Sequence, residues 1–276
     1  RVWATSVICA EDMACVHVRQ FVMPMVCVLE RKCHLDPEKS CTPARRNESS
    51  SHGNFLQRQI NCDQKQQDTM SARPPSRVPQ LIVFDLDQCM WSPEMYQLRS
   101  KPTVPVLGDL GNGLGEGIVG CNNGNQTVAL FSGALLALQE LHTLKEFKHT
   151  RIAAASSSEE PTYSAACLDL LEILPGVTMR SVFSYFAIGR TKACGNLTSD
   201  KRTHFKKIQA ESGIDFSEML FFDDCNWGDH VGKINKAHGV IGQRTPEGLQ
   251  ESEWREALAT FAQERGEAEP QGEKKK

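Results

Sequence analysis

Two runs of apolar residues, each closed by an aspartate, most constrain what this chain can fold into. They are Gln80-Leu81-Ile82-Val83-Phe84-Asp85 and Met219-Leu220-Phe221-Phe222-Asp223. Apolar residues without polar alternation predict strands covered on both faces, the setting of a parallel sheet. Arg151-Ile152-Ala153-Ala154-Ala155-Ser156 reads as a further short buried strand, and 181–188 and 239–242 as two more. Helical patterns lie between them. Residues 131–147 place Leu135, Leu138, Leu141 and Leu144 on one face. Residues 159–174 carry Glu159, Glu160 and Pro161 where acids and proline suit a first turn. Residues 203–212 close on Gly213, and 228–237 and 251–265 complete the set. Strands alternating with helices predict an α/β fold, a Rossmann-like open parallel sheet with helices on both faces.

These elements occupy 79–265, and the charged tail at 266–276, ending in three lysines, is expected to be disordered. Residues 1–78 differ in character. Their apolar patch, Phe21 to Leu29, follows Glu11, Asp12 and Arg19 and precedes no small-residue cleavage site, so it makes a poor secretory signal. From Asp36 to Pro79 the chain is polar and rich in breakers, with too little apolar area to offset its backbone entropy. We expect 1–78 to be a poorly ordered leader or extension, and the functional polypeptide to begin near Met70. Cys9/Cys15 and Cys27/Cys33 are separated by five residues, wider than zinc-ligand pairs, which argues against a zinc module. A net charge of −3 and a pI near 6.3 argue against a nucleic-acid binder. With no run of 18 apolar residues, no membrane span is expected.

In an open parallel sheet, ligands bind beyond the carboxyl ends of the strands. Asp85, Ser156 and Asp223 stand at such ends; Asp87 and Asp224 follow closely, and Lys201 sits where a helix begins. Any one of these acids alone reads as a strand terminator or helix cap. Four acids, a serine and a lysine at matching ends suit aspartyl phosphoryl transfer. Asp85 is the expected nucleophile. Asp87 is the expected general acid and then base, with its backbone carbonyl as a metal ligand. Magnesium suits carboxylate and phosphate oxygens, and Asp85, Asp87, Asp223 and Asp224 are its candidate ligands. Ser156 and Ser157, with neighbouring backbone N–H groups, are placed to hold phosphoryl oxygens, and Lys201 to offset the charge of nucleophile and phosphate.

The ordered set Phe84-Asp85-Leu86-Asp87, Ser156, Lys201 and Asp223-Asp224 resembles the four motifs of the haloacid dehalogenase superfamily. Within it the chain is most similar to the magnesium-dependent phosphatase family, over about Pro79 to Phe261 with long gaps. The likeness rests on Val83-Phe84-Asp85-Leu86-Asp87 with Trp91, Ala153-Ala154-Ala155-Ser156, Lys201-Arg202-Thr203-His204-Phe205, and Phe221-Phe222-Asp223-Asp224-Cys225-Asn226. It implies a haloacid dehalogenase fold with minimal or no cap and a magnesium-dependent phosphatase acting through an aspartyl-phosphate. The implied substrates are phosphotyrosine on proteins or phosphorylated sugars.

The chain departs from the pattern in three places. Cys89 stands where the family has threonine or a similar residue, and Ser157-Ser158 where an arginine usually follows the motif-two serine. Lys101 to Val128 is a glycine-rich insertion without a phosphate-loop context, read as a loop. The 68 residues between the first two motifs leave no room for a large helical cap, so an open cleft with a short flap between Trp91 and Val106 is expected. His204 reads as a surface or capping group more readily than a substrate contact. Cys89 reads as a packed thiol, because neighbouring carboxylates oppose thiolate formation. Trp91 and Trp227 are expected to pack near the cleft mouth. The cysteines after Pro79 show no paired spacing, which suits reduced thiols in the cytoplasm. The expected partners are a phosphorylated small molecule or a phosphoprotein, and the chain is expected to be a monomer. The alternative is a catalytically weak relative serving as a binding or scaffold module.

Overall fold

The computed structural model describes residues 74–226 and 228–266. The readings made for 1–73, for 267–276 and for Trp227 lie outside the described residues. The first apolar run forms β1 (Leu81–Phe84), which pairs in parallel with β6 (Arg151–Ser156) on one side and β10 (Met219–Asp223) on the other. β9 (Tyr185–Ile188) and β11 (Ile241–Arg244) complete a five-stranded parallel sheet in the order β11-β10-β1-β6-β9. In this register Phe84 lies opposite both Phe222 and Ala154, so the chain leaves neighbouring strands at one level. That level carries Asp85, Ser156 and Asp223.

Alternate residues of each strand face opposite sides of the sheet. Ile82, Phe84, Ile152, Ala154, Leu220 and Phe222 pack with residues of α1 (Ser132–Thr143), α2 (Pro161–Leu170) and α6 (Glu251–Arg265), among them Leu138, Cys167 and Trp254. Leu81, Val83, Ala153, Ala155, Met219 and Phe221 pack with Phe205 and Ile208 of α4 (Lys201–Ser212) and Ile234 of α5 (His230–His238). Both faces being covered explains why the strands read as unbroken apolar runs. Phe84 and Phe222 stack at 5.2 Å between ring centroids. Burying each such ring contributes on the order of 1.5–3 kcal/mol. The expected α/β architecture is thus present.

Three segments differ from the sequence reading. The helix expected over 159–174 begins at Pro161 with Glu160 as its N-cap and ends at Leu170, so neither acid lies in its first turn. Proline at the first helical position fixes that start. The chain then makes β7 (Glu172–Leu174), turns at Pro175-Gly176 with Gly176 at φ 76°, and returns as β8 (Val177–Thr178). Of the strand expected over 181–188, only β9 forms; Met179–Val182 is a short helix, α3.

The glycine-rich insertion is not a loop. β3 (Val104–Asp109) and β4 (Glu116–Asn122) form an antiparallel hairpin, which β5 (Thr127–Leu130) and β2 (Trp91–Ser92) extend into a sheet of order β2-β5-β4-β3. Glycine hides strand character from the sequence because it supplies neither branching nor alternation. Here it permits close packing: a Cβ on Gly120 would lie 2.8 Å from Cγ2 of Thr127, and one on Gly108 2.8 Å from Cγ2 of Val119. At the tip, Asn112 and its flanking glycines all have positive φ. Of the stretch 91–106 expected as a short flap, the ends lie in β2 and β3, and the segment between them, called the flap below, carries a 3₁₀ turn at Met95–Gln97. Among the described residues no helix is long and apolar enough to cross a membrane.

Candidate active site

The carboxyl edge of the parallel sheet opens into a cleft of about 530 Å³. Of the residues singled out from the sequence, Asp85, Asp87, Ser156, Ser157, Lys201 and Asp224 line it. Asp223 lies fully buried beneath, with one carboxylate oxygen in a cluster with Asp85 and Asp224, all three within 4.8 Å of one another. Sharp turns after each strand make this convergence possible. After β1, both Met90 N–H and Trp91 N–H donate to Leu86 O, with Gln88 at φ 59°. After β10, Cys225 N–H donates to Asp223 Oδ1 at 2.8 Å with Cys225 at φ 56°. Each turn folds the next acid back to the strand end.

Lys201 begins α4, where Asp200 caps the helix by accepting from Arg202 N–H. Its ammonium is 2% exposed and stands 2.7 Å from Asp85 Oδ1 and 3.2 Å from Asp223 Oδ2. It donates a hydrogen bond to Ala155 O, whereas its approach to Asp85 is an ion pair without an aligned hydrogen bond. Burial alone would lower the lysine's pKa, but the charges of Asp85 and Asp223 outweigh it and hold the ammonium protonated. Burial pushes the Asp85 carboxyl above its usual range against the pull of Lys201. Burial acts on Asp223 in the same sense, but Lys201 and His230 together hold it below the usual carboxylate range. Asp224 is pushed up to about 7 by burial and then by the charges of Asp85 and Asp223.

Asp85 Oδ1 is therefore a buried oxygen with no hydrogen bond, beside two further carboxylates. Hard oxygen donors crowded in this way fit a divalent cation such as magnesium, which would relieve their mutual repulsion. The Asp87 side chain is not part of this cluster. It turns to Trp91, whose indole Nε1–H donates to Asp87 Oδ1 at 2.8 Å. Burial raises its carboxyl to about 6. Ser157 lines the cleft, and its Oγ is buried without a hydrogen-bond partner. Ser158, which with Ser157 stands where an arginine was expected, is buried, lines the cleft and accepts from Glu160 N–H.

His204 is neither a surface group nor placed against substrate. It is fully buried, and Nε2 lies 3.1 Å from Ser156 O and 3.0 Å from Gly189 O. Two carbonyl partners require the proton on Nε2. The ring thus ties α4 to the loops after β6 and β9. Cys89 is buried, and burial with the nearby Asp85 charge keeps its thiol protonated, so it is a packed core group. Trp91 is fully buried rather than at the mouth.

Sequence reasoning missed four contributors. His230 lines the cleft with Nδ1 3.1 Å from Asp223 Oδ1. Arg190 and Glu159 form an ion pair on the cleft wall, and Tyr96 of the flap stands half exposed at the mouth. No spacing pattern links these residues to the strand ends; the signal available for His230 was its place seven residues beyond Asp223 at a helix start.

The acid phosphatase family model matches residues 77–264. A HAD-like hydrolase superfamily protein of Schizosaccharomyces pombe is 28% identical over 146 residues, 53% of this chain and 76% of that protein. Human magnesium-dependent phosphatase 1 is 29% identical over 149 residues, 54% of this chain and 69% of the human one. Among solved structures, the N-terminal, phosphatase-domain part of BF1531 from Bacteroides fragilis, complexed with Mg, aligns over 67% of this chain at 19% identity. Its TM-score is 0.36 and the chain spans 40% of its length, a likeness too loose to carry an argument.

Proposed function

The chain belongs to the acid phosphatase family, and from that premise we propose that it hydrolyses phosphate monoesters of the phosphotyrosine or phosphosugar type through an aspartyl-phosphate on Asp85. The observation that carries this reading is the cluster of Asp85, Asp223 and Asp224 against the buried Lys201 ammonium. Asp85, Asp223 and Asp224, with the Asp87 backbone carbonyl, would hold magnesium. When bound, the ion supplies positive charge that draws the phosphate dianion towards anionic ligands.

An Asp85 oxygen bonds to phosphorus as the bond from phosphorus to the leaving oxygen breaks, and the Asp87 carboxyl gives that oxygen its proton. Water then attacks the phosphorus of the aspartyl-phosphate. Asp87 takes the water's proton, phosphate leaves, and the Asp85 carboxylate is restored. Lys201 offsets the charge gathered at Asp85 and the phosphoryl group throughout. Ser157 Oγ–H, Ser156 and backbone N–H groups of 157–158 donate to phosphoryl oxygens. A carboxyl at about 6 suits an acid and base exchanging one proton near neutral pH. The open cleft and the exposed Tyr96 ring at its mouth support an aryl or sugar leaving group. Free thiols at Cys89, Cys121, Cys167, Cys194 and Cys225 support a reducing compartment, the cytoplasm.

The test is hydrolysis of p-nitrophenyl phosphate with and without magnesium by wild type and Asp85→Asn, with acid-stable capture of ³²P on the protein. Metal-dependent turnover and labelling, both lost in the variant, are expected. Turnover surviving in Asp85→Asn overturns the mechanism, and no turnover in either protein favours the scaffold reading.

A further inference from the structure

Asp87 lies three residues beyond the end of β1, where an isolated β-bridge pairs its backbone with that of Trp91. The Asp87 carboxyl oxygen Oδ1 accepts a hydrogen bond from the Trp91 indole Nε1–H at 2.8 Å. Trp91 is 0% exposed and sits in the short strand β2, which continues into the four-stranded antiparallel sheet. Its backbone closes the turn after β1: Gln88 N–H donates to Trp91 O at 2.9 Å. The indole is a rigid partner, because a packed ring in a paired strand cannot follow a moving carboxyl.

The geometry points to Trp91 as a positioning residue, whose indole N–H engages one Asp87 oxygen and leaves the other to exchange the proton with the leaving oxygen. The chemistry follows from donor and acceptor roles. Indole Nε1–H donates only. A carboxyl proton on Oδ1 would meet that donor head on, so the proton resides on Oδ2. As the bond from phosphorus to the leaving oxygen breaks, the Oδ2–H bond breaks with it, and the electron pair stays on the Asp87 carboxylate. Trp91 neither gains nor loses a proton. This inference rests on the role given to Asp87 above. A purely structural role for the indole, a buried N–H satisfied by a nearby acceptor, is the competing account.

Leaving groups separate the two. Dinitrophenolate departs without a proton, whereas phenolate needs one, so the ratio of kcat/KM for dinitrophenyl phosphate over phenyl phosphate reads the help given to the leaving oxygen. The ratio is expected to rise about tenfold in Trp91→Phe, the loss of one hydrogen bond of about 1.4 kcal/mol. In Asp87→Asn it should rise about a hundredfold or more. The double variant should match Asp87→Asn, since the indole then has nothing to act through. If Trp91→Phe fails to fold, benzothienylalanine at position 91 removes the N–H while keeping the ring's shape, and the same ratio is read. A ratio unchanged in the indole variants while Asp87→Asn raises it overturns the positioning role. So does a further rise in the double variant. A ratio unchanged in Asp87→Asn overturns instead the role given to Asp87, and the inference with it.

Discussion

Replacing Lys201 with methionine keeps an unbranched apolar side chain of similar length and deletes the only ammonium that contacts Asp85 and Asp223 among the described residues. At 2.7 and 3.2 Å, the two attractions amount to about 5–6 kcal/mol each with an effective dielectric of about 20. Desolvation of three ions takes back most of this, and breaking a buried pair leaves a net loss of about 3–5 kcal/mol. For a domain of this size each kcal/mol lowers Tm by about 2–4 °C, so a fall of about 6–20 °C is expected in EDTA at pH 8. The pH dependence follows from the carboxylates left behind. Without the ammonium, the folded-state pKa of Asp85, already raised by burial, climbs further, and that of Asp223 loses the main attraction that holds it down and rises above its unfolded value. The variant is therefore most nearly native in stability below about pH 4, where both forms are protonated, and loses ground as pH climbs through the raised values. Saturating magnesium restores part of the loss, about 2.7 kcal/mol at a hundredfold excess over its Kd. Urea melts of metal-free wild type and variant at pH 5 and pH 8 measure this directly. A variant as stable as wild type at pH 8, or one penalised more at pH 5, would falsify the claim that the ammonium is what allows these carboxylates to be buried.

Further outcomes follow from the same geometry. Magnesium should raise the Tm of wild type more at pH 8 than at pH 6, because Asp224, raised to about 7, must shed its proton to bind the ion; Asp224→Asn should flatten that difference, seen by calorimetry with magnesium alone. His204 is held down to about 4 by burial first and then by Lys201, so its contribution to stability is present above the unfolded pKa near 6.5 and lost as pH falls. Integrated between those values, the loss reaches about 2 kcal/mol by pH 5, and His204→Gln should remove that part of the acid slope in urea melts; an unaltered slope counts against a buried neutral ring. A Cβ at Gly133 would lie 2.4 Å from the backbone of Leu249 and Gln250, so Gly133→Ala should push α1 off the loop before α6 and cost about 1–3 kcal/mol or more, whereas a neutral melt would mean that the loop yields.

The acids at the strand ends were legible because the cause is local. A strand buried on both faces admits no charge until it leaves the sheet, so Asp85 and Asp223 mark their own position, and parallel register carries them to one level. Lys201 was legible for a similar reason, at the start of an amphipathic helix. The glycine-rich hairpin was not, because glycine carries no periodic signal, and its strands are fixed by cross-strand approaches between Gly120 and Thr127 or Gly108 and Val119. Nor was the fate of the polar groups around the site. His204 reads as a solvent-facing residue until the loops after β6 and β9 place two carbonyls against its ring. His230 and Asp223, or Trp91 and Asp87, become partners only when turns with positive φ at Cys225 and Gln88 reverse the chain between them. Hydrophobic periodicity is a property of neighbours along the chain, and the sequence alone determined where the sheet, its covering helices and its reactive edge lie. Which donor meets which acceptor depends on separations of a few tenths of an ångström, set by turns that reverse the chain and by loops brought in from other strands, and only the tertiary structure decided that.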